Sequence, residues 1–271
     1  MPSHLSNPWT NAVTFLEMKF GDQCLATGSG FFWANGEETF LVTNWHNFSG
    51  RNPDDGSPMS ATGGIPDRVA FSAYRQTSET DSQGYFSLEV LTITVPLCES
   101  DHTNPRWYQH PRFGPSVDVA AINVTDALRC YGIHFRQANI LEDDAEIEAY
   151  ASQDVFIVGY PLGLVTGVPI PVWKRGTIAT EPSFDPDGLP KLYVDAATRK
   201  GMSGSVVIAR HIFAGTYQKK SGEEAQVLYA KKDLVLGVYS GRLHPDNIQA
   251  QLGIVWKRNT IEETVLGKVT P

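Results

Sequence analysis

The chain has 271 residues, 41% of them apolar and 19% charged, with a formal net charge of −8 at pH 7 and a pI near 5.3. Such a length buries one large core or two smaller ones, and the acidic balance argues against nucleic acid as a partner, because phosphate binding depends on a basic field. No run of about 18 apolar residues is present, which excludes a membrane-spanning helix.

The start, MPSHLSNPWTNAV, has neither the basic head nor the apolar middle of a signal peptide, so the protein is expected to stay in the cytosol. Cys24, Cys98 and Cys130 are odd in number, far apart and mostly set among apolar neighbours. They are expected to be buried free thiols, and without clustered Cys or His spacing neither a metal nor a cofactor is expected.

Along the chain, apolar alternation at a period of two begins in VTFLEMKF (13–20), where Thr14, Leu16, Met18 and Phe20 share one face. Short segments of the same kind follow at GFFWA (30–34), TFLVTN (39–44), LEVLTITV (88–95), VDVAAINV (117–124), DVFIVGY (154–160), LYVDAA (192–197), SVVIAR (205–210) and LVLGVYSG (234–241). Turn signals separate them, including Asn35-Gly36 and Asp187-Gly188, and YQKKSGEEAQ (217–226) reads as a solvated hairpin tip. Many short strands at this spacing specify an all-β sandwich or barrel. Helix is expected in two places only, the acidic LEDDAEIEAY (141–150) and the tail RNTIEETVL (258–266), which Asn259 or Thr260 could cap. Loops rich in Gly, Pro and Ser occupy 49–66, 100–116 and 161–171.

Three residues stand out chemically. His46 closes an apolar strand in FLVTNWHNFSG, just before a long polar loop. Asp118 interrupts the apolar PSVDVAAINV, where a carboxylate either faces solvent or holds a donor such as an imidazole N–H. Ser203 sits between glycines in DAATRKGMSGSVVI, a stretch that by itself fits a tight turn as well as a nucleophile. A hydroxyl becomes nucleophilic at neutral pH when a histidine takes its proton and a carboxylate orients that histidine.

The order His46, Asp118, Ser203, together with GSGFF, VGYPLG, DAATRKGMSGS and LGVYSG in series over about 28–258, resembles the trypsin-like (chymotrypsin-fold) serine peptidases, nearest the bacterial HtrA-type branch. The resemblance implies two antiparallel six-stranded β-barrels with the active site between them. One barrel, 10–140, would carry His46 and Asp118; the other, 141–271, would carry Ser203 and a short C-terminal helix. It further implies a serine endopeptidase that forms an acyl-enzyme, with His46 as proton carrier, Asp118 as its orienter, and the N–H groups of Gly201 and Ser203 as an oxyanion hole. The protein or peptide substrate would bind as an added β-strand along Tyr239, Ser240 and Gly241.

Met202 stands where zymogen-activated members carry an aspartate, which removes that route of activation. The chain ends shortly after its last strand, so the peptide-binding domain usual in HtrA-type proteins is not expected. Counting back six residues from Ser203 puts Ala197 at the base of the primary pocket, with Thr198, Lys200 and His244 at its rim. A small or medium apolar side chain is therefore expected before the cut bond. The alternative is a catalytically inactive or partner-activated fold of the same kind, serving as a protein-binding or sensing module.

Overall fold

The chain alternates as expected in its first strand: Thr14, Leu16 and Met18 are buried on one face, and only Phe20, at the end, turns out to solvent. A computed structural model describes residues 7–79, 82, 87–100, 104–142, 148–163, 168–243 and 251–271.

The first half folds as β1 (Val13–Phe20), β2 (Gln23–Asn35), β3 (Glu38–Thr43), β4 (Arg68–Gln76), β5 (Leu88–Pro96), β6 (Trp107–Gln109), β7 (Ala120–Asn123) and β8 (Ile133–His134). All pair antiparallel in one sheet of order β5-β4-β1-β2-β3-β7-β6, with β8 beside β4. This differs from the expected six strands. Among the described residues the two ends of the sheet meet at an isolated bridge between Cys98 and Pro105, flanked by hydrogen bonds from the Arg106 N–H to the Leu97 carbonyl and from the Glu99 N–H to the Asn104 carbonyl.

The second half does close, as a barrel of six strands in the order β10-β11-β14-β13-β12-β9. Its strands are β9 (Asp154–Gly159), β10 (Val172–Ile178), β11 (Lys191–Asp195), β12 (Val206–Gln218), β13 (Glu224–Arg242) and β14 (Leu252–Lys257). The β12–β13 hairpin runs out to a tip at Lys219–Glu223, as its composition suggested.

Four short helices complete the described chain: α1 (Trp45–Ser49), α2 (Thr125–Tyr131), α3 (Ala138–Leu141) and α4 (Arg258–Gly267). The tail helix forms where expected, but its cap is Lys257; Thr260 lies inside and donates its hydroxyl back to the Lys257 carbonyl at 2.7 Å. Of the acidic segment expected to be helical, only Leu141 is in a helix, residues 148–150 are irregular, and 143–147 lie outside the described residues. The helix α2 was not expected.

One apolar cluster belongs to both halves, joining Phe31, Val42 and Val119 of the first to Val158, Val206 and Trp256 of the second. The helix α4 leaves the barrel and packs against the first sheet, where Glu263 faces His110 Nε2 at 3.0 Å and Lys268 pairs with Glu38 at 2.7 Å. The halves therefore share a core, and the cleft between them is held by both. The cysteines do not join it: Cys24 and Cys130 are exposed and Cys98 half-buried, contrary to expectation, because each sits on an outward-facing position of its strand, helix or loop.

Candidate active site

Residue His46 opens the single turn α1 that follows β3, so the strand delivers it to the cleft between the halves. Asp118 lies in the loop before β7, two residues ahead of the strand rather than within it as expected, and is only 2% exposed. Its carboxylate accepts the His46 main-chain N–H at 2.9 Å on Oδ1 and faces His46 Nδ1 at 2.7 Å on Oδ2. The Ser240 hydroxyl donates to the same Oδ2 at 2.5 Å. Burial alone would push this carboxyl up, but the facing imidazole and the hydrogen bonds from His46 and Ser240 outweigh it and hold the acid below its ordinary value. Asp118 thus stays ionised and fixes the ring so that Nε2 is free to carry a proton.

Ser203 lies on the tight turn before β12 and lines the same cleft as His46. Among the described residues no hydrogen bond joins the two; the Ser203 hydroxyl donates to the Ser240 carbonyl at 2.8 Å. Gly201 and Gly204 hold φ of +89° and +84°, a left-handed backbone that only glycine adopts cheaply, so G-x-S-G is the chemistry of this turn. Met202, Gly204 and Ser205 donate their N–H groups to Arg199, Tyr239 and Met202 carbonyls. The N–H groups of Gly201 and Ser203 have no acceptor among the described residues.

Strand β2 of the first half crosses directly beneath. The Ser29 N–H donates to the Ser203 carbonyl at 2.8 Å, and its hydroxyl donates to the Gly201 carbonyl at 2.8 Å while accepting the Tyr160 N–H at 2.9 Å. The loop after Tyr160 is moored nearby, where the Tyr160 and Tyr74 hydroxyls both donate to the Pro169 carbonyl. Burial there pushes the Tyr74 hydroxyl up to about 12. Sequence reasoning passed over Ser29, although it stands in the GSGFF segment.

The remaining candidates are placed less uniformly. Lys200 lines the cleft with Ser203 and accepts the Leu162 N–H on its carbonyl at 2.6 Å. Thr198 and Tyr239 are buried and joined through their hydroxyls, with the Tyr239 ring resting on Gly253. Ser240 and Gly241 are half-buried on a stretch of β13 that pairs with β14 on one side, while its ladder to β12 stops at Val238. Among the described residues that leaves a strand edge beside Ser203 with no strand paired to it, its Ser240 carbonyl taken by the Ser203 hydroxyl. Ala197 is exposed and lines a separate concavity with Asp154 and Arg175, outside the cleft that contains Ser203, because the chain turns at Ala196–Thr198. His244 lies outside the described residues.

The cleft itself encloses about 580 Å³. Its wall carries His46, Gly201 and Ser203 together with Leu25, Met59 and Leu162, and among the described residues it includes no carboxylate. Among the described residues no group of three His, Cys, Asp or Glu side chains could hold a metal ion, and no helix is long and apolar enough to cross a membrane.

No protein-family profile and no curated protein matches the chain. Among solved structures it is similar to the serine endoprotease from Yersinia pestis, at 13% identity and a TM-score of 0.47, over 96% of this chain and 62% of that one. It is also similar to the Mycobacterium tuberculosis Rv3671c protease in an inactive form, at 16% identity and a TM-score of 0.46, over 95% of this chain and 89% of that one.

Proposed function

We propose that the protein is a trypsin-like serine endopeptidase that cuts peptide bonds through Ser203, His46 and Asp118. The observation that carries this reading is the constellation in one cleft: a buried Asp118–His46 pair at 2.7 Å, a serine on a left-handed G-x-S-G turn, and two N–H groups of that turn, on Gly201 and Ser203, with no acceptor among the described residues. A structural serine needs none of the other parts.

In the proposed reaction the Ser203 Oγ attacks the peptide carbonyl carbon as its proton passes to His46 Nε2. The oxyanion so formed takes the Gly201 and Ser203 N–H groups, each worth about 3 kcal/mol in such a site. His46 then gives its proton to the departing amine, leaving an ester on Ser203, and water, deprotonated by His46, hydrolyses that ester. Asp118 keeps the imidazole in the right tautomer and balances its charge throughout. The acyl part of the substrate would lie along Ser240–Gly241 as an added strand.

A second reading has an observation in its favour. Since the Ser203 hydroxyl is engaged with the Ser240 carbonyl, the resting chain fits a partner-activated or inactive relative that binds proteins without cutting them. A fluorophosphonate probe separates the two. The peptidase acquires a stoichiometric adduct that Ser203→Ala abolishes; the absence of any adduct in the wild type, with or without extended peptides, rejects the enzyme.

A further inference from the structure

We infer that Ser29, a residue of the first sheet, is the positioning residue that holds the oxyanion turn of the second half in its working shape. The inference rests on the peptidase reading and extends it to a residue that touches neither substrate nor reacting atoms.

The argument begins with peptide planarity. In a trans peptide the N–H points opposite to the C=O, so whatever grips one group aims the other. Gly201 has two flanking peptides. The Lys200 carbonyl is gripped by the Leu162 N–H at 2.6 Å, which turns the Gly201 N–H away from the Leu162 backbone. The Gly201 carbonyl is gripped by the Ser29 hydroxyl at 2.8 Å. By the same rule the Ser29 grip aims the Met202 N–H, which donates to the Arg199 carbonyl, so Ser29 fixes the peptide that follows the donor; because Gly201 has no side chain to restrict its own rotation, the turn keeps its shape only while both peptides are held.

Ser29 grips the Ser203 peptide as well, through its N–H to the Ser203 carbonyl at 2.8 Å. The peptide that follows each residue whose N–H lacks an acceptor among the described residues is therefore tied by one serine. The serine is tied in turn: its hydroxyl accepts the Tyr160 N–H at 2.9 Å and its carbonyl accepts the Thr43 hydroxyl at 2.8 Å. It is 0% exposed, so no water replaces these partners.

The packing is built around this serine. A Cβ on Gly204 would fall 2.0 Å from the Ser29 carbonyl oxygen, and a Cβ on Gly159 would fall 2.6 Å from its hydroxyl. Only a group that donates and accepts at once satisfies both Gly201 and Tyr160, which is what a hydroxyl does and a methyl does not. Removing it leaves a buried carbonyl and a buried N–H unpaired, and the turn relaxes to satisfy them.

The test compares Ser29→Ala, Ser29→Thr and a control, Thr14→Ala, which deletes another hydroxyl-to-carbonyl bond (2.6 Å to Ser72) on the neighbouring strand β1 but none that reaches the turn. Ser29→Ala is expected to lower kcat by about ten- to a hundredfold, up to the loss seen when an oxyanion donor is deleted outright, with KM within about twofold. The affinity for a peptide boronate, which mimics the tetrahedral adduct, should fall in step with kcat. Ser29→Thr keeps the hydroxyl and is expected to recover most of the loss, whereas Thr14→Ala loses stability alone. Amide hydrogen exchange reads the brace without catalysis: the Met202, Gly204 and Ser205 amides should exchange at least about tenfold faster in Ser29→Ala and unchanged in Thr14→Ala. Unaltered exchange, or a kcat within twofold of wild type, overturns the inference. A wild type that never acylates overturns the peptidase reading instead, while exchange still reports on the brace itself.

Discussion

The Ser203 hydroxyl donates to the main-chain carbonyl of Ser240 at 2.8 Å. That carbonyl belongs to the free edge of β13, where an extended peptide would place an N–H of its own. In the proposed peptidase, nucleophile and substrate would therefore compete for one acceptor, and the arriving strand would release the hydroxyl toward His46. Methylating the substrate nitrogen that faces Ser240 is expected to lower kcat/KM by about five- to thirtyfold, the worth of roughly one to two kcal/mol of hydrogen bonding. The same change two residues upstream should cost less. Equal losses at the two positions in steady-state kinetics would show that the competition has no effect.

The His46–Asp118 pair predicts both a rate and a stability profile. Asp118→Asn leaves the shape but offers His46 the wrong partner, and kcat is expected to drop by about 10⁴-fold in single-turnover acylation. Folding holds the Asp118 carboxyl below its ordinary value, so the unfolded chain binds its proton first as pH falls. The stability this supplies is complete above the unfolded aspartate range, near pH 4, and drains away as pH drops through the lower folded value. Urea unfolding from pH 6 downward should show a shallower acid decline in Asp118→Asn than in wild type; parallel curves would refute the assignment.

Apolar side chains in the cleft predict what departs. Leu25, Met59 and Leu162 share the wall with His46 and Ser203, but Ser240 and Gly241 do not, so in the proposed reaction the cleft would take the side of the leaving amine. Met59 and Leu162 are 56% and 63% exposed, large apolar surfaces waiting for cover. Once a common ester has acylated Ser203, leucine amide should capture the acyl group about ten times more efficiently than aspartate amide, given one to two kcal/mol for burying such a side chain. Leu25→Asp should erase that preference while leaving ester hydrolysis intact. Indifference of the wild type to the amine would exclude a leaving-side pocket.

Stability depends sharply on Gly204. At φ +84°, with the Ser29 carbonyl oxygen 2.0 Å and the Thr43 hydroxyl 2.2 Å from where a Cβ would stand, Gly204→Ala strains the backbone and collides with a neighbour that cannot move. A loss of about 3 kcal/mol or more is expected, seen as a lower denaturant midpoint. Gly222→Ala, on a hairpin turn where a Cβ meets nothing within 4 Å, bears only its φ of +85° and should cost about 1 kcal/mol.

Much of this architecture could be read from the chain because period-two burial is a local property. Leu16 and Met18 inside, or Val206 and Ile208 in the shared core, follow from alternation alone. The segment RVAFSAYRQ of β4 was missed although Val69, Phe71 and Ala73 alternate there, because basic ends masked it. VWKRGTI of β10 carries too few apolar residues to be noticed before its partners are known. His46, Asp118 and Ser203 were legible through their settings, each a polar residue where an apolar strand ends or begins. Ala197 was not, since a count along the chain ignores the turn that carries it out of the cleft. Nor was Ser29 legible as a brace: its partners Tyr160, Gly201 and Ser203 lie more than 130 residues away, and a serine between two glycines reads as a bend until the second half is docked on it.

That distance along the chain has a consequence for biosynthesis. On the peptidase reading, the first half emerges from the ribosome with the proton carrier and no nucleophile, and the second half brings a serine whose turn is bonded to Ser29 of the first. Neither portion would then cut anything by itself, and a chain caught half-folded could not attack its neighbours or its own exposed strands. Cutting would wait until β2 and the G-x-S-G turn are docked, which would make completion of the fold itself the licence to cut.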